Sequence, residues 1–173
     1  MRLLFDQLMI AGTIINLIVI FLLIILITVR SKKLSGILLF FRKKGILLAF
    51  FLALAASLGS LIYSEYFLLI PCNLCWYQRI FIYPQVLILL VALVKRFNDV
   101  LYYLIPFSTG AIFISGYHYL TQLGGVSSVC MQGVVDCTAR YFTYLGFITM
   151  PFMSLIVSTT IVLLVLITHK KFK

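Results

Sequence analysis

Five apolar runs, each long enough to cross a membrane, constrain the fold of this chain more than any other feature. They cover about residues 8–29, 45–64, 76–94, 100–120 and 144–168. Roughly 20 residues of helix span the hydrocarbon core of a bilayer, and a backbone in lipid must satisfy its own hydrogen bonds, so each run should be a helix. Because 64% of the residues are hydrophobic and only 10% are charged, the sequence predicts an all-α integral membrane protein.

The basic residues indicate how these helices are oriented. All but three of the 14 Lys and Arg residues lie in residues 30–44, in the 95–99 turn and in the tail from residue 169 onward. If the five helices alternate in direction, these segments share one side of the membrane, and their positive charge marks that side as the cytoplasm. The N-terminus, the 65–75 turn and the 121–143 loop are then predicted to face outward.

The net charge of +10 does not indicate nucleic-acid binding. Proteins that bind nucleic acid present a basic face or stripe on a polar fold. Here the basic residues cluster between apolar runs, as topology signals do. No nucleic-acid partner is therefore expected.

The first apolar run is predicted to be a retained anchor rather than a signal peptide. It is too long for a signal peptide, no small-residue cleavage site follows it, and a basic cluster lies directly behind it. The next segment, "LSGILLFF" at residues 34–41, is too short to span and is flanked by basic residues. We expect it to lie along the anionic inner leaflet, with membrane lipid as its partner.

Two further patterns are typical of helices in a membrane. The second run carries small residues at near-regular spacing, which let a neighbouring helix approach closely; these are Ala49, Ala53, Ala56 and Ser60. Aromatic residues near the outer ends of the runs most simply form an interfacial belt; these are Tyr63, Tyr66, Trp76, Tyr77, Tyr117 and Tyr119.

The four cysteines form two close pairs, Cys72 with Cys75 and Cys130 with Cys137. Both pairs lie in segments predicted to face outward, where an oxidising compartment favours disulfides. Closeness within each loop predicts a Cys72–Cys75 and a Cys130–Cys137 disulfide in the resting protein. A zinc site built from all four thiols is the alternative, but the six residues between Cys130 and Cys137 fit a tetrahedral site poorly. No metal is expected.

The stretch "PCNLCWYQR", residues 71–79, places Cys72 and Cys75 at the N-terminus of the third helix. Backbone N–H groups and the helix dipole favour the thiolate there, and the thiolate is the attacking species in disulfide exchange. A static disulfide is the competing interpretation. Cys130 and Cys137 lie in the Gly-rich loop "GGVSSVCMQGVVDC", which is either a structural staple or a shuttle that carries oxidising equivalents to a soluble partner.

Arg79 and His118 are the other candidate site residues. Arg79 follows Cys75 at i, i+4 and shares its helix face, so its guanidinium is placed to hydrogen-bond a quinone carbonyl at lipid depth. The alternative is an arginine that snorkels to the interface. His118 pairs with Gln122 at i, i+4 near the outer end of the fourth helix. It is either a packing residue or a proton donor or quinone contact.

Four segments together resemble the DsbB family of membrane thiol–quinone oxidoreductases: "CNLCWYQRIFIYP", "GYHYLTQ", the two-cysteine loop and "GFITMPFMSL". The short Cys130–Cys137 spacing is similar to that of its BdbC-type branch. The resemblance covers about residues 45–168. The vitamin K epoxide reductase family also joins a CxxC to a quinone, but there the quinone-facing CxxC lies late in the chain, so the order here argues against it.

The resemblance implies a four-helix transmembrane bundle over residues 45–173. Residues 1–44 would add one extra N-terminal transmembrane helix and a basic interfacial linker, which the basic family plan lacks. The implied activity is reoxidation of an extracytoplasmic thioredoxin-fold thiol oxidase, a DsbA/BdbD-like partner, at a bacterial cell membrane. The electrons would pass to a membrane quinone, either ubiquinone or menaquinone.

The resemblance also implies a role for each site residue. Cys72 and Cys75 would be the quinone-coupled pair, with the Cys75 thiolate against the quinone. Arg79 and His118 match the quinone-binding positions. Cys130 would form the mixed disulfide with the partner, and Cys137 would return the electrons to Cys72.

Two other functions compete with this one. The chain is a non-enzymatic membrane subunit if its two disulfides are only structural cross-links within its loops. A thiol reductase relay that runs electrons outward is a third possibility, but no inward-facing cysteine is available to feed it.

Overall fold

The chain forms five long α-helices in a computed structural model that describes residues 2–28, 35–95, 99–124, 136–141 and 143–169. The helices are α1 (Arg2–Thr28), α2 (Ser35–Leu61), α3 (Asn73–Lys95), α4 (Val100–Gln122) and α5 (Met150–His169). All five are long and apolar enough to cross a membrane. The predicted all-α integral membrane fold is confirmed.

Four of the helices close into a bundle. Helix α2 packs against α3 and α5, and α4 packs against the same two helices, so that α2 to α5 form a ring. Helix α1 packs against α5 from outside this ring. The centre is filled by apolar side chains that are fully or almost fully buried, among them Leu89, Leu104 and Ile161. The predicted architecture, a four-helix bundle with one extra N-terminal helix, is confirmed.

Three helix boundaries differ from those expected. Helix α1 begins at Arg2 instead of near residue 8. Helix α2 begins at Ser35 and runs without interruption to Leu61, so most of the predicted interfacial segment is the first part of a spanning helix. A π-helical turn, Ile62–Tyr66, then ends it. Helix α5 begins at Met150 instead of near residue 144, which places Pro151 in its first turn, where the missing proline N–H removes no helical hydrogen bond.

Polar side chains link neighbouring helices inside the bundle. The Ser108 hydroxyl of α4 donates a hydrogen bond to Gln85 Oε1 of α3 at 3.1 Å. The hydroxyls of Ser115 on α4 and Ser154 on α5 lie 2.8 Å apart. Such bonds between buried groups fix the relative positions of the helices, and these helices support the cysteines.

All the candidate site residues in the described part of the chain lie at one end of the bundle, which we call the cysteine end. The helices alternate in direction, so this end gathers the starts of α1, α3 and α5 and the ends of α2 and α4. Of the basic clusters, Arg42, Lys43, Lys44 and Lys95 fall within the described residues, and they lie toward the opposite end.

Candidate active site

Cys72 and Cys75 face each other at the start of α3. Cys72 immediately precedes the helix, and its sulfur accepts a hydrogen bond from the backbone N–H of Cys75 at 3.4 Å, as a residue that caps a helix N-terminus does. The two Sγ atoms lie 2.9 Å apart, and both thiols are free. This is the dithiol form of the pair, and the Cys72–Cys75 disulfide of the resting protein stays a prediction.

His118 reaches Cys72 from α4. Its Nε2 lies 3.7 Å from Cys72 Sγ and 3.2 Å from the carbonyl oxygen of Cys137, while its Nδ1 lies 3.0 Å from Gln78 Nε2. A carbonyl oxygen only accepts and an amide nitrogen only donates, so these partners assign the proton of the neutral ring to Nε2. The ring is 2% exposed, and it directs an N–H donor toward the Cys72 sulfur.

The surroundings of Cys72 favour its thiolate. The hydrogen bond from the Cys75 thiol lowers the pKa of Cys72 most, burial opposes this, and His118 and the Cys75 backbone N–H lower it further. The net effect is a pKa well below the ordinary value of a thiol. The site therefore favours the thiolate, the reactive form of a cysteine, at Cys72.

Cys137 is packed against the same site. It is 1% exposed and belongs to a small buried cluster with Cys72 and Leu74. Its carbonyl oxygen is the group that accepts from His118, and its sulfur is in a disulfide. Cys130 lies outside the described residues, so the predicted Cys130–Cys137 pairing and the role of Cys130 stay predictions.

Hydrogen bonds hold the segment 136–141 on the ends of the neighbouring helices. Gln122 Nε2 donates to the carbonyl of Ala139 at 3.4 Å, and Arg140 donates to the carbonyl of Gln122. The Tyr141 hydroxyl donates to the carbonyl of Ile70 at 2.7 Å. Burial and then the negative charge of the cysteine pair raise the pKa of Tyr141, which keeps this hydroxyl a donor. The segment fixes Cys137 beside Cys72.

Arg79 lies in the wall of a cavity of about 370 Å³ between α1, α2, α3 and α5, which we call the Arg79 cavity. Its side chain is 8% exposed. The guanidinium donates from Nε to the Ser60 hydroxyl and from a terminal nitrogen to the Ser60 carbonyl, both at 3.0 Å. It also lies 5.1 Å from the centre of the Trp76 ring, within the range of a cation–π contact.

Cys75 connects this cavity to the Cys72 site. It lines the Arg79 cavity together with Arg79, as their i, i+4 spacing predicts, and it also lines a small cleft with Cys72 and His118. Tyr141 lines both spaces as well. His118 lines only the cleft, so the structure brings His118 to Cys72 and Cys137 and not into the cavity with Arg79.

The cleft also offers a set of potential metal ligands. One ligand atom from each of Cys72, Cys75 and His118 lies within 4.8 Å of the others. A closed structural zinc site uses four protein ligands, and in the described residues the nearby Cys137 sulfur is already in a disulfide. The geometry fits a redox-active thiol pair with an adjacent histidine.

Sequence reasoning missed several residues that shape this site. Gln78 orients His118, Ser60 holds Arg79, and Tyr141 lines both the cleft and the cavity. The sequence did contain an indication that Gln78 has a structural role. A polar residue beside an arginine in an apolar run is costly unless it has a hydrogen-bond partner. Tyr63 was expected in the aromatic belt, but it is buried and donates a hydrogen bond to Asp6 at 2.8 Å.

Comparisons with known proteins agree with this geometry. The profile of the disulfide bond formation protein DsbB matches residues 42–168. The chain is 44% identical over 113 residues to the SPbeta prophage-derived disulfide bond formation protein B of Bacillus subtilis, covering 65% of this chain and 76% of that protein. It is 46% identical over 114 residues to disulfide bond formation protein C of the same organism, covering 64% and 82%.

A third relative, the probable disulfide formation protein C 2 of Bacillus anthracis, is 39% identical over 132 residues, which cover 75% of this chain and 94% of that protein. No solved structure matches the chain. The profile match includes both cysteine pairs, Arg79 and His118. The chain therefore belongs to the DsbB family and is a multi-pass membrane oxidoreductase with a role in disulfide formation.

Proposed function

We propose that this protein is a quinone-dependent generator of disulfides. It takes electrons from an extracytoplasmic thioredoxin-fold thiol oxidase and passes them through its two cysteine pairs to a membrane quinone. One observation supports this most directly: Cys75 lies in the wall of both the cleft that holds Cys72 and the cavity that holds Arg79. A thiol in that position can exchange disulfides on one side and face an electron acceptor on the other.

The Arg79 cavity fits a quinone head group as substrate. Its volume of about 370 Å³ is within the usual range for small-molecule sites, which are mostly apolar with a few polar groups. Within the described residues, the guanidinium hydrogen-bonds to Ser60 alone, which leaves further N–H donors of its five for a carbonyl oxygen. Ubiquinone and menaquinone are both candidates for this substrate.

The residues support a defined route for the electrons. The partner's dithiol reduces a Cys130–Cys137 disulfide through a mixed disulfide at Cys130, and the partner leaves oxidised. The Cys137 thiolate then attacks Cys72 of the Cys72–Cys75 disulfide and displaces the Cys75 thiolate. Attack of Cys130 on Cys137 reforms that disulfide and leaves Cys72 and Cys75 as a dithiol. Their oxidation back to the disulfide transfers two electrons and two protons to the quinone, which becomes quinol.

His118 acts in this proposal on Cys72 and not on the quinone. Its Nε2–H points at the Cys72 sulfur, so it stabilises the thiolate each time Cys72 is the leaving group. Through the same contact, the Nε2–H is placed to donate to the Cys72 sulfur when the thiolate forms. Gln78 holds the ring in this tautomer.

We further propose that the cysteine end faces the extracytoplasmic side of a bacterial cell membrane. The basic residues at the opposite end support this orientation, because Lys and Arg are enriched in cytoplasmic segments. A soluble or anchored partner of the DsbA/BdbD type then reaches Cys130 without crossing the membrane.

A reconstituted assay tests the proposed function. Purified protein is mixed with a reduced thioredoxin-fold oxidase and a quinone, and quinol formation and partner oxidation are followed together. We expect one quinol per partner disulfide, and no turnover in a Cys75→Ser variant, since serine leaves the cysteine-end structure intact but cannot form the disulfide. If the wild-type protein forms no quinol while both of its disulfides resist reduction by glutathione, the cysteines are structural staples and the protein is a non-enzymatic subunit.

A further inference from the structure

We propose that helix α1 is the wall of the Arg79 cavity that determines which quinone head groups fit. This inference rests on the proposed quinone-dependent function and extends it to a helix outside the part of the chain that matches the DsbB profile, which begins at residue 42. The residues concerned lie around Gly12, on the face of α1 that lines the cavity.

Helix α1 is held at two levels. Near the cysteine end, the Asp6 carboxylate, 5% exposed, accepts hydrogen bonds from the Tyr63 hydroxyl at 2.8 Å and from the Tyr144 hydroxyl at 3.4 Å. Toward the other end, Leu23 and Leu26 are buried in the main apolar core. A carboxylate buried in a spanning helix is costly without such partners, so these contacts fix the position of α1 relative to the bundle.

Between these two levels, one face of α1 lines the Arg79 cavity. The lining residues recur every three or four positions, as residues on one side of a helix do; they are Leu8, Met9, Gly12, Thr13 and Asn16. Thr13 and Asn16 place polar atoms on this face, and each donates one hydrogen bond to a carbonyl of α1 itself, at Met9 and Gly12. The second Asn16 amide hydrogen is left to donate to an oxygen atom of a ligand.

The missing side chain of Gly12 leaves open space in the cavity next to α1. A Cβ atom built at Gly12 meets no other group within 4 Å, although the residue lies in the cavity wall. By contrast, a Cβ at Gly59, the glycine of α2 that faces α1, would meet the Met9 side chain at 2.8 Å. Because the space at Gly12 is open, a larger side chain there would fill the cavity without displacing a neighbour.

The test measures binding separately from turnover. Trp76 is the only tryptophan of the chain and lies beside Arg79, so quenching of its fluorescence reports a quinone in the cavity. Wild-type protein, Gly12→Ala and Gly12→Leu are titrated with a single-ring benzoquinone and a two-ring naphthoquinone. Ala11→Leu, on the exposed side of the same helix, and Gly116→Leu, at an open position of α4 away from the cavity, are the controls.

We expect Gly12→Leu to weaken binding about ten- to a hundredfold, the range that overpacking produces, with the larger loss for the two-ring compound. Gly12→Ala should weaken binding by a smaller factor. If the leucine variant does not fold, the alanine variant alone tests the proposal. Both controls should bind as the wild type does. Equal binding by wild type and both Gly12 variants would overturn the role of α1 alone, whereas a wild-type protein that binds neither quinone would overturn the proposed function as well.

Discussion

Both hydrogen bonds that fix the Arg79 guanidinium end on a single residue, Ser60, whose hydroxyl and carbonyl oxygen each accept at 3.0 Å. Ser60 lies in the last turn of α2, so the charge on α3 is positioned by the neighbouring helix. The guanidinium is thereby oriented along the wall of the Arg79 cavity instead of being free to extend toward the membrane surface. An arginine that only extended its charge to the membrane surface would not need a hydrogen-bond partner such as Ser60 on the neighbouring helix.

Arg79→Ala should weaken the apparent affinity for quinone. A hydrogen bond from a charged donor contributes about 1.5–3 kcal/mol, which corresponds to roughly ten- to a hundredfold in affinity. Lysine should restore only part of it, since its point charge lacks the planar fork. Steady-state rates over a range of quinone concentrations measure this as a raised KM, while thiol exchange with the partner stays unchanged. An unaltered KM would mean that the quinone site lies elsewhere.

Ser60→Ala should raise the same KM by less than Arg79→Ala does. The substitution removes the hydroxyl acceptor but leaves the carbonyl, so the guanidinium keeps one of its two bonds. Ser57→Ala is the matched control, because Ser57 lies on the same helix and its buried hydroxyl has no partner in the described residues. The comparison of KM and kcat for the two variants is the measurement. Equal effects of both substitutions would show that Ser60 does not position Arg79.

The sequence predicted the fold well because membrane helices are encoded by composition over long stretches. Run length and hydropathy are sufficient to locate five helices, and the resemblance to the DsbB family supplied their division into a four-helix bundle and one extra helix. Helix boundaries were less predictable. The start of α2 at Ser35 was missed because Arg42, Lys43 and Lys44 were interpreted as the edge of a span, although they lie inside a longer helix.

From spacing alone, the site was predictable only where its residues are close in sequence, whereas the resemblance to the DsbB family supplied His118 and Cys137 as site residues. The i, i+4 spacing placed Cys75 and Arg79 on one wall. The contacts of His118 with Cys72 and Cys137 span 46 and 19 residues, and the Asp6–Tyr63 bond spans 57. Such long-range contacts depend on how the helices pack, which hydropathy does not encode. Tyr63 therefore looked like an interfacial aromatic, although it anchors α1.

The reactivity of Cys72 should persist at low pH. Because its pKa is lowered, the thiolate remains as the pH falls below the usual thiol pKa of about 8.5. In a background without Cys130 and Cys137, alkylation rates of the reduced protein by iodoacetamide should titrate below that value. Cys75→Ala, which removes the main stabilising donor, should move the midpoint up most, and His118→Ala should move it up less. A midpoint that neither variant alters would refute the activated thiolate.

The orientation of the bundle is open to a labelling test. Cysteine-free protein with one new cysteine at Ser127 should react with an impermeant thiol reagent in intact cells. A new cysteine at Ser31 should be protected until the membrane is permeabilised. Both positions lie outside the described residues, so the expectation comes from the positive-inside rule alone. Labelling at Ser31 with protection at Ser127 would invert the topology.

The position of Cys137 beside Cys72 predicts an intramolecular crosslink. In a Cys75→Ser/Cys130→Ser variant, only Cys72 and Cys137 remain, and both belong to one buried cluster held by His118 and the 136–141 segment. Mild oxidation should join them within the monomer, because thiol exchange requires the attacking sulfur to reach the disulfide directly. Non-reducing gels and peptide mapping identify the bond.

The complementary variant, Cys72→Ser/Cys137→Ser, is the control for this crosslink. It keeps Cys75, which faces the Arg79 cavity as well as the cleft, and Cys130 from the loop. If Cys72 is the entry point for electrons and Cys75 the exit toward the acceptor, Cys75 and Cys130 should crosslink much more slowly than Cys72 and Cys137. Equal rates for the two variants, or only intermolecular disulfides, would mean that the two cysteines of the α3 pair are not distinguished by their positions. The proposed order of transfer would then have to be abandoned.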